Sequence, residues 1–205
     1  MAYSDFDLLR VEQDFSLTIQ EVPVCLPEVP AVAPDSLLES LLNENLSLAL
    51  AQGNEKARSE WIINPVLTAV RRLLKQQISV FSGKEFNIEP SQGLNGYVAF
   101  LITRSPRLLV VEAPVLTIVA AKPEDLNAGL GQCLAEMVAA QRYNERQGRA
   151  IETVYGCVTN GELWKFVTLQ EAIATIGLRD YALPPVDTIL GILVWICNNR
   201  NVDKG

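Results

Sequence analysis

Histidine is absent from the 205 residues. That absence excludes more chemistry than any other feature of the composition, since neither a Ser-His or Cys-His catalytic pair nor a histidine metal ligand can be built. Cysteine is scarce too. Cys25, Cys133, Cys157 and Cys197 are widely spaced and form no C-x-x-C pair, which argues against a zinc site or a thioredoxin-like motif and leaves buried free thiols as the expectation. No apolar run reaches the roughly twenty residues that a membrane-spanning helix needs. The longest, Leu108 to Ala121, carries Glu112 and Pro114 and reads as buried strand. The first residues include Asp5 and Asp7 and lack a basic segment leading into an apolar stretch, so no secretory signal is read and the cytoplasm is the expected compartment. Positive charge is in deficit, with 17 Lys and Arg against 24 Asp and Glu for a net charge of −7, which disfavours a general nucleic-acid binder. Local basic groups remain at Arg71, Arg72 and Lys75 near a helix end, and at Arg104 and Arg107 around Pro106.

What is present is material for a core. With 49% hydrophobic and 20% charged residues, the chain supports one globular domain, or a domain with a small helical appendage. Residues 1–54 read as an N-terminal extension. Asp5 to Phe15 suits a short helix, and Pro23, Pro27, Pro30 and Pro34 make Glu21 to Pro34 an extended connector lying on an apolar surface. Asp35 or Ser36 then caps a leucine-rich helix that ends near Gly53. Residues 55–205 read as the main domain. A helix runs from about Glu55 toward Gln77, with Pro65 expected to kink it or to start a new segment from Asn64.

From Ile78 the period changes to that of strands. Ile78 to Phe81, Phe86 to Ile88, Gly96 to Thr103, Leu108 to Glu112 and Val115 to Ala121 form a meander of short β-prone runs. Pro123 is expected to open a helix through to Gly148, because proline is tolerated in a first turn. Ile151 to Thr159 and Leu163 to Leu169 read as two strands joined at Asn160-Gly161, a strong hairpin signal. Thr188 to Cys197 closes the chain as an apolar helix. The fold class is therefore α/β, a mixed central β-sheet covered by helices.

Five segments carry the chemistry: Ser82-Gly83 with Phe86; Gly93-Leu94-Asn95-Gly96-Tyr97-Val98-Ala99-Phe100; Val119-Ala120-Ala121-Lys122; Gly129-Leu130-Gly131-Gln132-Cys133; and Val158-Thr159-Asn160-Gly161 leading to Trp164-Lys165-Phe166. In this arrangement the chain resembles the PD-(D/E)XK nuclease-like superfamily, the restriction endonuclease-like fold, and within it a group from photosynthetic bacteria. The resemblance spans roughly Ser59 to Leu169, about half the chain. It implies an aspartate on one strand and, on the next, a glutamate two residues before a lysine. Positions i and i+2 of a strand share a face, so carboxylate and ammonium stand over one pocket that holds Mg²⁺ for phosphodiester hydrolysis.

Carried onto this sequence, the lysine falls on Lys122, a helix glutamate on Glu60 and a helix glutamine on Gln132, while the two metal carboxylates fall on Ala99 and Ala120. Methyl groups supply no oxygen ligand for Mg²⁺. The resemblance thus implies a catalytically silent nuclease-fold protein that acts through binding, to a protein partner or to itself, with no cofactor. The alternative is a Mg²⁺-dependent DNA endonuclease whose carboxylates have moved to Glu112 or Glu89, with Glu85 nearby. A third reading, the weakest for an acidic chain, is metal-free nucleic-acid binding through Arg71, Arg72, Lys75, Arg104 and Arg107. Trp164 and Phe166 alternate with Lys165 as in a half-buried strand, so core packing is expected of them in preference to base stacking.

Overall fold

A computed structural model describes residues 1–122 and 125–199. Among them, seven strands form one mixed sheet: β1 (Thr18–Val22), β2 (Ser79–Glu85), β3 (Tyr97–Thr103), β4 (Val115–Ala121), β5 (Val154–Thr159), β6 (Leu163–Gln170) and β7 (Ile173–Ala182). Their spatial order is β1-β7-β6-β5-β4-β3-β2. β2, β3 and β4 are successively antiparallel, β4 and β5 are parallel, β5, β6 and β7 are antiparallel again, and β1 runs parallel to β7. A parallel neighbour needs a long crossover, and residues 122–153 supply it between β4 and β5.

The helices are α1 (Leu8–Phe15), α2 (Ser36–Gln52), α3 (Glu55–Arg58), α4 (Asn64–Leu73), α5 (Leu130–Arg146) and α6 (Asp187–Asn198). Between α3 and α4 the chain keeps its helical course through a π-helical turn, Ser59–Ile63, closed by the Asn64 amide donating to the Ser59 carbonyl. Pro65 lacks an amide hydrogen, and the wider turn before it accommodates that loss. The new segment therefore begins at Asn64, as the proline predicted. Asp7, Asp35 and Asn54 cap α1, α2 and α3 through side-chain oxygens that accept from Arg10, Leu38 and Ala57 amides.

Alternation along β5 assigns the two faces. A Cβ on Gly156 would run into Met137 and Cys133 of α5, whereas the neighbouring Tyr155 meets Trp195 of α6 edge-on, ring centroids 5.8 Å apart. Every residue of β4 and of β5 is buried, as expected of strands covered on both sides. Trp164 and Phe166 are fully buried, so both belong to the core as their alternation predicted. Cys133, Cys157 and Cys197 are buried free thiols and Cys25 is half-buried; burial pushes all four above the ordinary thiol range.

Several expectations need correction. The segment before residue 54 contributes β1 to the sheet and lays α1 against α5. The backbone at Phe6 and Asp7 comes so close to Gly131 that no Cβ would fit there. β7 was not foreseen, because Leu178, Arg179 and Asp180 on it face solvent and break the apolar run. Ser82-Gly83 lies inside β2 and does not separate two strands. Leu108–Glu112 is no strand: the chain between Thr103 and Val115 is an irregular loop. The helix expected from Pro123 starts at Leu130, after a 3-10 turn at Asn127–Gly129; Pro123 and Glu124 lie outside the described residues.

Candidate functional site

β4 delivers Lys122 to the end of the sheet, and the Lys122 amide donates to the Thr159 carbonyl at 2.8 Å, continuing the β4–β5 ladder past the last strand residue. The Lys122 stem lies over Gly129: a Cβ there would sit 2.8 Å from Lys122 Cγ and 2.7 Å from Val158 Cγ1. Glycine therefore lets the start of α5 approach the strand end. Across this junction Lys122 Nζ donates to Gln132 Oε1 at 2.7 Å, and Gln132 Nε2 donates to Glu136 Oε1 at 2.8 Å. Gln132 and Glu136 are four residues apart and so stack on one side of the helix.

Glu136 was missed by sequence reasoning. It is 0% exposed, and its Oε2 has no hydrogen-bond partner. Burial is the main cause that lifts its carboxyl to about 8; the Gln132 hydrogen bond and the Lys122 charge pull it down, and Glu55 pushes it up. The acid is consequently protonated at neutral pH. A visible signal did exist, since Glu136 interrupts the apolar face marked by Cys133, Met137 and Ala140. Tyr3, buried on the same side, donates to the Phe86 carbonyl at 2.6 Å, and its hydroxyl is pushed up by burial first and by Glu136 second.

The two alanines stand beside this chain of polar groups. Phe100 pairs with Val119, so counting one residue further places Ala99 opposite Ala120, on the face that Ala120 shares with Lys122. Ala120 also pairs with Val158 and is 1% exposed. Lys122 is thus bordered by methyl groups on the strands and by a neutral amide on the helix. Among the described residues no cluster of three or more His, Cys, Asp or Glu side chains is placed to hold a metal ion.

The remaining predicted residues lie elsewhere. Glu60 is exposed and meets Lys56 of its own helical segment at 3.3 Å. Glu112 accepts from Ser105 and lies 3.6 Å from Arg107, beyond the start of β4 and so a strand's length from Lys122. Glu89 pairs with Arg142 and Arg146 in the C-terminal half of α5, and Glu85 accepts from Asn87 at 2.8 Å. None of these carboxylates is brought to Lys122. Of the basic residues, Arg72 grips Asp35 through two hydrogen bonds of 2.9 Å, Arg71 donates to the Ile78 carbonyl at 3.1 Å, and Arg104 donates to the Asn199 carbonyl at 2.6 Å. Arg107 and Lys75 are exposed.

No known family model matches the chain, and no curated protein matches it in sequence. Its chemistry is therefore read from the residues themselves. One half-buried ammonium, one amide and one protonated acid make a hydrogen-bonded strut between β4 and α5. Among the described residues, the strut presents one cation and no pair of anionic oxygens of the kind that hard divalent ions require.

Proposed function

We propose that this chain is a restriction endonuclease-like protein that has given up metal-dependent phosphodiester cleavage and acts by binding, to a protein partner or to a second copy of itself. The order helix, three antiparallel strands, helix, parallel strand supports the fold part of this reading. The observation that carries the functional part is that Lys122 stands beside Ala99 and Ala120 and spends its hydrogen bond on the neutral Gln132. The test is cleavage of supercoiled and linear DNA by the pure protein with Mg²⁺ or Mn²⁺, with an Ala99→Asp, Ala120→Glu double variant alongside. The unmodified chain should leave both substrates intact, and Mn²⁺ binding by calorimetry should rise in the double variant. Cleavage by the unmodified chain that tracks added metal overturns the proposal. Light scattering after size exclusion addresses the binding half: a strict monomer that retrieves no partner counts against it.

One observation favours a second reading, a Mg²⁺-dependent endonuclease with a displaced carboxylate. The orphaned Oε2 of Glu136 lies one amide away from Lys122. A divalent ion at that oxygen would displace the proton, so Mn²⁺ calorimetry on the unmodified chain and on Glu136→Gln separates the readings: heat lost in the variant supports the second.

A further inference from the structure

The apolar run Leu108-Leu109-Val110 has the composition of a buried strand yet stands outside the sheet. The β3–β4 ladder ends at the Thr103–Val115 pair, and Leu108, Leu109 and Val110 are 60%, 91% and 51% exposed. Below them the loop is pinned at four points. The Arg104 amide donates to the Pro114 carbonyl at 3.1 Å, buried Ser105 donates to Glu112, Ser79 Oγ holds the Arg107 carbonyl at 2.8 Å, and Tyr143 Oη holds the Val111 carbonyl at 2.7 Å. What projects is therefore a held tip of three consecutive apolar side chains. Two cations flank it: Arg107 on the loop itself, and Arg149 on a cavity of about 400 Å³ at the loop's foot. Glu112, at that foot, accepts from Ser105 and lies 3.6 Å from Arg107, so it offsets part of the Arg107 charge.

We propose that this tip docks the protein on an anionic phospholipid surface, with Leu108, Leu109 and Val110 entering the acyl boundary and Arg107 and Arg149 meeting headgroup phosphates. Area decides between this occupant and a protein. A stable protein interface needs about 800 Å² from each side, and a convex tip of three side chains falls well short of that. A bilayer takes a projecting apolar tip without a complementary pocket, and basic neighbours add attraction to anionic headgroups. Glu145 and Glu152 are exposed near the same end of the sheet, so the apolar tip supplies most of the affinity and the cations supply a preference. The inference does not depend on the nuclease-fold reading.

The test is co-sedimentation of the full chain with vesicles of phosphatidylcholine containing phosphatidylglycerol, against phosphatidylcholine alone. Binding should favour the anionic vesicles several-fold. Leu109→Asp should lower the partition coefficient by more than about tenfold, the scale expected from withdrawing one leucine from an apolar environment. Arg107→Glu should remove the preference for anionic lipid. Leu109 is almost wholly exposed, so an unchanged thermal melt will certify that the Leu109→Asp variant is folded. No sedimentation with anionic vesicles, or equal sedimentation by folded Leu109→Asp, overturns the proposal. So does an oligomer in solution that Leu109→Asp dissolves, since the tip would then serve a second copy.

Discussion

Replacing Glu136 by glutamine should flatten the dependence of stability on pH between about 4.5 and 8. An ordinary glutamate titrates at 4.5, and burial raises Glu136 to about 8. The folded protein therefore holds a proton that the unfolded chain releases above 4.5. Unfolding liberates that proton, so stability is greatest below 4.5 and declines as pH rises toward 8. At about 1.4 kcal/mol per pH unit, the decline reaches roughly 3 kcal/mol by pH 7 and on the order of 5 kcal/mol by pH 8. Such a loss is a large part of a typical folding free energy. Glu136→Gln keeps an acceptor for Gln132 Nε2, cannot ionise, and should not show this decline. The depressed carboxyl of Asp35 acts at lower pH, and the raised thiols of Cys133, Cys157 and Cys197 matter only near and above the ordinary thiol range. Urea denaturation of both proteins at half-unit steps from pH 5 to 8 is the assay. Parallel curves, or a native protein that gains stability across the window, would refute the reasoning.

Gly156→Ala should cost about 1–3 kcal/mol in chemical denaturation, because the new methyl meets Met137 and Cys133 in a filled core; adding Met137→Ala should recover part of that loss. Gly129→Ala should cost a similar amount and push the Lys122 stem aside, visible as altered amide shifts for Gln132 and Glu136. Asp35→Ala removes both the cap of α2 and the partner of Arg72. It should cost about 1 kcal/mol through the cap, with little more from a half-exposed ion pair. Since Asp35 is depressed in the fold, its contribution is present above the ordinary carboxylate range and vanishes as pH falls through the folded value.

Local signals made much of the fold legible. Asp35 before a leucine-rich stretch and Asn160-Gly161 between two apolar runs both mark what they flank, because capping and tight turns are decided by a few adjacent residues. The edges were not legible. β1 is five residues of mixed character, Thr18–Val22, and becomes a strand only because β7 lies beside it. Leu108–Val110 failed in the opposite sense: its composition is right for a core strand, but tertiary pairing ends before it. At the site, Lys122 and Gln132, both singled out in the sequence, meet through a hydrogen bond. Glu60, Glu89 and Glu112 went elsewhere, because each found a nearer cation or hydroxyl. Glu136 is hidden in the sequence because a lone acid in a helix is ordinarily solvated, and only tertiary packing buries this one.

The pairing of β1 with β7 joins Thr18 to Ile173, partners about 155 residues apart. At about 5–20 residues per second of ribosomal elongation, the first strand waits roughly ten to thirty seconds after emergence before its neighbour is even synthesised. Through that interval its polar backbone is open to chaperones and to stray β-edges of nascent chains nearby.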